Sequence, residues 1–112
     1  MGKTEINEIA CQIIAYAGDG KSYVFEAIES AENGDFENAQ KMLEKCDEEI
    51  LKAHEIHTKL LVEEARNPET STVTMMLIHA SNHLSNAELA RDFADKIINI
   101  YKKGVIKWSI LF

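Results

Sequence analysis

The chain predicts an all-α protein, an antiparallel three-helix bundle running up, down and up. Apolar residues recur at steps of three and four through three long stretches, the spacing of an amphipathic helix. Two short clusters of turn-forming residues, Asn33-Gly34-Asp35 and Asn67-Pro68-Glu69-Thr70-Ser71, separate those stretches. A single proline, five glycines and 46% hydrophobic residues suit helices better than a sandwich of short strands.

In the first stretch, Ile6, Ile9, Ala10, Ile13, Ile14 and Ala17 follow Thr4, a candidate N-cap. Gly18-Asp19-Gly20 interrupts the pattern, and Val24, Phe25, Ile28 and Ala31 resume it at once. This predicts a kink or short break in one bent helical arm rather than a long loop. Asn33-Gly34-Asp35 then supplies a glycine for a C-cap and an aspartate for the next N-cap, so the chain should reverse there. The second helix is expected from Phe36 to about Glu64, with a stripe through Ala39, Leu43, Cys46, Ile50, Ala53, His57, Leu60 and Leu61. Pro68 disfavours helical backbone in the residue before it, and the Ser and Thr residues beyond can cap a third helix reaching about Lys103. Short connections between long helices place neighbours antiparallel.

At 112 residues the chain is sized for one domain, assigned to residues 1–104, to whose stability oligomerisation could add substantially. Gly104 should stop the third helix, leaving residues 105–112 as an apolar tail that either docks on the bundle or is foreign to it, and no function is assigned to it. A net charge of −7 argues against general affinity for nucleic acid or anionic membrane, and favours a partner with a basic surface. No apolar run reaches the roughly 18 residues of a membrane span and the polar start lacks a signal-peptide core, so a cytoplasmic location without membrane insertion is expected. Cys11 and Cys46 have neither CxxC nor finger-like spacing and read as buried thiols.

The third helix carries two lines of interest. Met75, His79, Asn82, Asn86, Leu89, Phe93, Lys96 and Ile100 form a heptad-like seam with a polar middle. Polar seam residues cost stability unless they meet partners, and a seam asparagine can fix register and oligomer state, so Asn82 and Asn86 suggest an oligomer axis. The adjacent line, rich in alanine from Ala80 to Ala94, permits close packing within the subunit. A helix with two buried sides is expected to be central.

His79 and His83 stand four residues apart, on neighbouring turns of one helix face. Imidazole side chains as a class keep a nucleophilic nitrogen available near neutral pH, and small Ala80 and Ser81 beside His79 leave room for a bulky adduct. Taken with Ala15-Tyr16-Ala17-Gly18-Asp19 and Ala31-Glu32-Asn33-Gly34-Asp35-Phe36, the segment from Thr72 to Leu84 resembles the lactose/cellobiose-type IIA components of the bacterial sugar phosphotransferase system. The resemblance runs from about Glu5 to Lys103.

That resemblance implies a phosphotransferase component: a homotrimer of nine helices with His79 as phosphoryl acceptor, near a subunit interface. His79 would receive its phosphoryl group from the histidine-containing phosphocarrier protein and pass it to a cysteine of a IIB component. The uptake served would be of a β-linked disaccharide of the lactose, cellobiose or chitobiose class, bound elsewhere than on this protein. His83 is assigned a supporting role, and Ser81 a second one. Ser81 stands where relatives often carry a larger polar residue such as glutamine, which puts its phosphoryl contact in question. Asn82 stands where most relatives carry an aspartate on the trimer axis that can bind a metal ion. Three carboxamides can hydrogen-bond to one another without charge repulsion, so no metal or other cofactor is expected.

Two other readings compete. A metal site built from His54, His57, His79 and His83 lacks the Glu-x-x-His pairs of di-iron bundles, and His54-Glu55-Ile56-His57 is too short for zincin spacing. A non-catalytic oligomeric adaptor, with the polar seam purely structural, is distinguished by whether His79 carries a covalent phosphoryl group. The charge runs around Glu44–Glu49 and Arg91–Lys96 read as solvated helix faces, with Asp92 and Lys96 at pairing distance along the helix.

Overall fold

The computed structural model describes residues 1–104, with three long helices: α1 (Lys3–Glu32), α2 (Phe36–Arg66) and α3 (Met75–Lys102). One turn of 3₁₀ helix at Pro68–Thr70 joins α2 to α3, and the described residues contain no strand. The tail assigned to 105–112 lies outside the described residues.

α1 begins earlier than its sequence suggested. Its N-cap is Gly2, whose carbonyl accepts the Ile6 amide at 3.1 Å, so Thr4 lies inside the first turn and does not cap it. The helix also continues through Gly18 and Gly20 without a break. Gly20 is buried where α2 crosses: a Cβ there would stand 2.8 Å from Ile50 Cγ1, whereas one on Gly18 would meet open space. The helix tolerates both glycines because apolar faces on either side hold it, and Gly20 lets α2 approach closely.

The turn after α1 follows its sequence. Gly34 adopts φ +78°, the Gly34 amide donates to Ala31 O at 3.0 Å, and the Asp35 amide donates to Ser30 O at 2.8 Å, the paired bonds of a Schellman ending. Asp35 then caps α2 by accepting the Asn38 amide at 3.0 Å, while Asn38 Nδ2 donates to Ser30 Oγ at 2.8 Å. At the other end, Thr74 caps α3 by accepting the Leu77 amide and donates its own hydroxyl to Asn7 of α1 at 2.7 Å. Thr72 donates to Met1 O at 2.8 Å. These contacts set the start of α3 beside the start of α1, so α1 and α3 run parallel and α2 antiparallel to both.

α1 lies against both other helices along most of its length, while α2 and α3 touch over a shorter stretch. The core falls into two groups. Ala10, Ile13, Ala17, Ala53, Ala80, Leu84 and Ala87 fill the end near the chain start, and Val24, Ala27, Leu43, Cys46, Ala94 and Ile98 fill the other. Among the described residues, nine of the sixteen buried hydrophobic residues are alanine, so the helices approach closely but bury little apolar area per residue.

Arg91 bridges α2 and α3. Its Nε and Nη2 reach Asp47 at 2.6 and 3.1 Å, and its Nη1 reaches Asp95 at 2.9 Å. This fork-like pairing holds the guanidinium proton more tightly than usual. The charge run therefore pairs through Arg91 and Asp95; Asp92 and Lys96 make no ion pair among the described residues. Cys46 is fully buried, but Cys11 is exposed, which corrects the expectation of two buried thiols. Burial, reinforced by the Asp47 carboxylate, pushes the Cys46 thiol up to about 11.

Candidate functional site

α3 is positioned by its alanine line. Ala80, Ala87 and Ala94 are buried, as are Leu84 and Ile98, and they turn the opposite side of the helix outward. On that side Met75, Leu89, Phe93 and Ile100 are 87%, 55%, 57% and 36% exposed, and Asn82, Asn86 and Lys96 are exposed among them. The heptad-like seam is thus a continuous face that no element among the described residues covers. Ile78, just beside it, is also exposed.

His79 lies on this face and is exposed; His83, one turn on, is half-buried. Their Nε2 atoms are 3.1 Å apart, with ring centroids separated by 4.4 Å and ring planes nearly perpendicular at 86°. A hydrogen bond between two ring nitrogens requires one N–H and one lone pair, so the pair shares a single proton across the contact and at least one ring is neutral. With His83 donating, the His79 Nε2 lone pair is held in the bond and its Nδ1 carries hydrogen. With His79 donating, its free lone pair is on Nδ1. Steps of three and four from His79 reach Met75, Met76, Asn82 and His83, so no carboxylate of its own helix face repels an incoming anion.

Ser81 points elsewhere. Two residues along a helix is about 200° of rotation, which carries Ser81 away from His79 and toward α2. Its hydroxyl donates to Leu77 O at 3.1 Å and lies 2.8 Å from His57 Nε2. Because the serine proton is committed to Leu77, His57 must supply the N–H in that contact. The structure therefore brings His79 and His83 together, sets Asn82 on the same outer face, and places Ser81 with His57 on the far side of the helix. The sequence placed His57 on the α2 stripe but gave no sign of its partner, since that pairing joins residues 24 apart. His54 is exposed, with Nδ1 3.8 Å from Glu88 Oε1. The four histidines do not gather into one centre, and no group of three or more metal-binding side chains occurs among the described residues.

Beside the His57–Ser81 contact lies a cavity of about 500 Å³ between the start of α1, the end of α2 and the start of α3, lined by Ile6, Ile9, Leu60, Leu77 and Ile78 among others. His79 is not on its wall. No described helix is long and apolar enough to cross a membrane.

Fold and site together define a three-helix protein that displays a paired histidine on an open helix face. Residues 8–102 match the family described as the lactose/cellobiose-specific IIA subunit of the phosphotransferase system. The chain is 41% identical over 99 residues to the lichenan-specific phosphotransferase enzyme IIA component of Bacillus subtilis, spanning 88% of this chain and 89% of that relative. Its fold superposes on the cellobiose-specific enzyme IIA of Bacillus anthracis with a TM-score of 0.83 at 35% identity, covering 92% of each chain. It also superposes on the chitobiose IIA component from an Escherichia coli complex with the phosphocarrier HPr, with a TM-score of 0.77 at 28% identity, covering 90% of this chain and 97% of that one. The protein belongs to the lactose/cellobiose-specific IIA family and is a IIA component of the sugar phosphotransferase system.

Proposed function

We propose that the protein is a cytoplasmic phosphoryl carrier that accepts phosphate on His79 from the histidine-containing phosphocarrier protein and passes it to a cysteine of a IIB component during uptake of a β-linked disaccharide. The observation that carries this reading is the exposed His79 ring, whose Nε2 lies 3.1 Å from His83 Nε2. In the transfer, the bond from phosphorus to the donor's ring nitrogen breaks as a bond to His79 nitrogen forms, and the reverse exchange delivers the group to a thiolate. Positioning and charge neutralisation supply most of the catalysis in such a step. Because two macromolecules must reach this ring in turn, His79 is proposed to stand at the rim of the seam and stay accessible when subunits assemble. His83 then supports the adduct, donating its Nε2–H to a phosphoryl oxygen once His79 Nε2 is occupied. The relative solved with HPr supports the choice of donor.

The seam supports a homotrimer, with nine helices in all. Met75, Leu89, Phe93 and Ile100 present apolar surface that the alanine-rich core of one subunit does not use, and Asn82 and Asn86 fall between them. A metal ion on that axis does not fit this chain. Asn82 offers only a neutral carboxamide, and no position of the seam from Met75 to Ile100 is acidic. The axis is accordingly proposed to work with amide hydrogen bonds and no cofactor. Ser81 contributes through His57, steadying α3 against α2, rather than by touching phosphate.

The test is the intact mass of the protein after incubation with phosphoenolpyruvate, enzyme I and the phosphocarrier protein, beside His79→Ala. One acid-labile phosphoryl group per chain, absent from the variant, supports the reading. An adduct of equal yield on His79→Ala would overturn it, and no adduct on either would favour the structural adaptor.

A further inference from the structure

The spacing of the His79 and His83 rings has a second chemical meaning. Imidazole nitrogens bind divalent transition metals at about 2.0–2.1 Å. Two such nitrogens 3.1 Å apart subtend an angle of about 95–100° at an ion bound to both, near the right angle of cis positions in octahedral or square-planar coordination. His79 is exposed and His83 half-buried, one turn apart on the same helix, and turning the two rings about their side-chain torsions so that both Nε2 lone pairs converge converts a hydrogen-bonded pair into a chelating one.

We propose that His79 and His83 form a chelating site for a borderline divalent transition-metal ion of the copper, nickel or zinc class, and that this ion and the phosphoryl group compete for His79. Imidazole donors exclude magnesium and calcium, which take oxygen ligands, and the order of affinity should place copper(II) first. The protons balance simply. In the neutral pair one ring carries its hydrogen on Nε2; on chelation that hydrogen moves through solvent to Nδ1, leaving both Nε2 lone pairs for the metal and releasing no net proton. Neither Asn82 nor Asn86 adds an anionic ligand, and no third histidine, cysteine or carboxylate joins the pair among the described residues. Water completes the coordination, which makes the ion exchangeable rather than structural. The competition rests on the phosphocarrier reading; the chelation does not.

The experiment uses the full chain without a polyhistidine tag. Calorimetric titration with copper(II) should show one ion per chain, weakened about tenfold or more by His79→Gln and by His83→Gln, because each variant removes the intramolecular second ligand. His54→Gln and His57→Gln should leave that affinity unchanged. Equal weakening by His54→Gln or His57→Gln, or wild-type binding no tighter than that of His83→Gln, would overturn the site. In a second arm, purified phosphorylated phosphocarrier protein is mixed with the chain in the presence of zinc(II), with enzyme I absent. Zinc should block loading, a chelator should restore it, and the half-inhibiting zinc concentration should rise about tenfold in His83→Gln. Full loading at zinc levels that saturate the pair would overturn the competition. If the metal-free chain takes no phosphoryl group at all, the carrier reading fails, and the copper titration still decides the chelating site.

Discussion

His57 Nε2 on α2 lies 2.8 Å from Ser81 Oγ on α3, and the same hydroxyl donates to Leu77 O. This polar contact ties the two helices within one turn of the His79–His83 pair. It fixes His57 as the donor and gives Ser81 a structural task on the side of α3 away from His79.

Ser81→Ala should therefore cost about 1 kcal/mol of stability by leaving the His57 N–H without its partner. Phosphoryl loading of His79 should persist. Denaturant unfolding alongside the loading assay checks both, and loss of loading in a fully folded variant would show that Ser81 acts on the phosphoryl group itself.

The two glycines of α1 should respond in opposite directions. Gly18→Ala places a methyl in open space and should gain up to about 1 kcal/mol through helix propensity. Gly20→Ala drives its methyl to 2.8 Å from Ile50 Cγ1, on a branched side chain with little freedom to retreat, and should lose about 1 kcal/mol or more. Thermal melts of the two variants decide it.

The cysteines should differ sharply in reactivity. In the native protein Cys11 should react readily with a thiol reagent and Cys46 should not, because it is buried and its thiol is pushed up to about 11. The linkage has a definite sign. The unfolded thiol ionises near the ordinary thiol value of 9.0 while the folded one stays protonated, so its contribution to stability is complete below pH 9.0 and declines as pH rises toward about 11. Unfolding measured across that window should show a smaller alkaline loss in Cys46→Ala than in the wild type.

If the α3 seam is the trimer contact, a charge on it should break the assembly. Phe93 is 57% exposed in the subunit, so Phe93→Asp costs little in the monomer. Light scattering should show a trimer for the wild type and a monomer for the variant, with helix content retained. A monomeric wild type would remove the seam argument.

The sequence carried the helices and the turn chemistry well where a side chain acts on its immediate neighbours. Gly34, Asp35 and Pro68 announced the two connections because their effects are local. Thr4 misled because a helix can start on a bare backbone carbonyl, here that of Gly2. Gly18-Asp19-Gly20 suggested a break because the need for a bare Cα at Gly20 arises from Ile50, thirty residues away. Cys11 shares the helical stretch of Ile9 and Ile13 but falls on its outward side. At the site, four-residue spacing made the His79–His83 pair legible, whereas His57–Ser81 and Arg91–Asp47 depend on how α2 packs against α3.

Mapping the phosphoryl group at the peptide level tests the central claim most directly. The protein is charged by its phosphocarrier partner, held at alkaline pH and digested. The account predicts a single phosphohistidine at His79; a group on His83, His57 or His54 instead would contradict it.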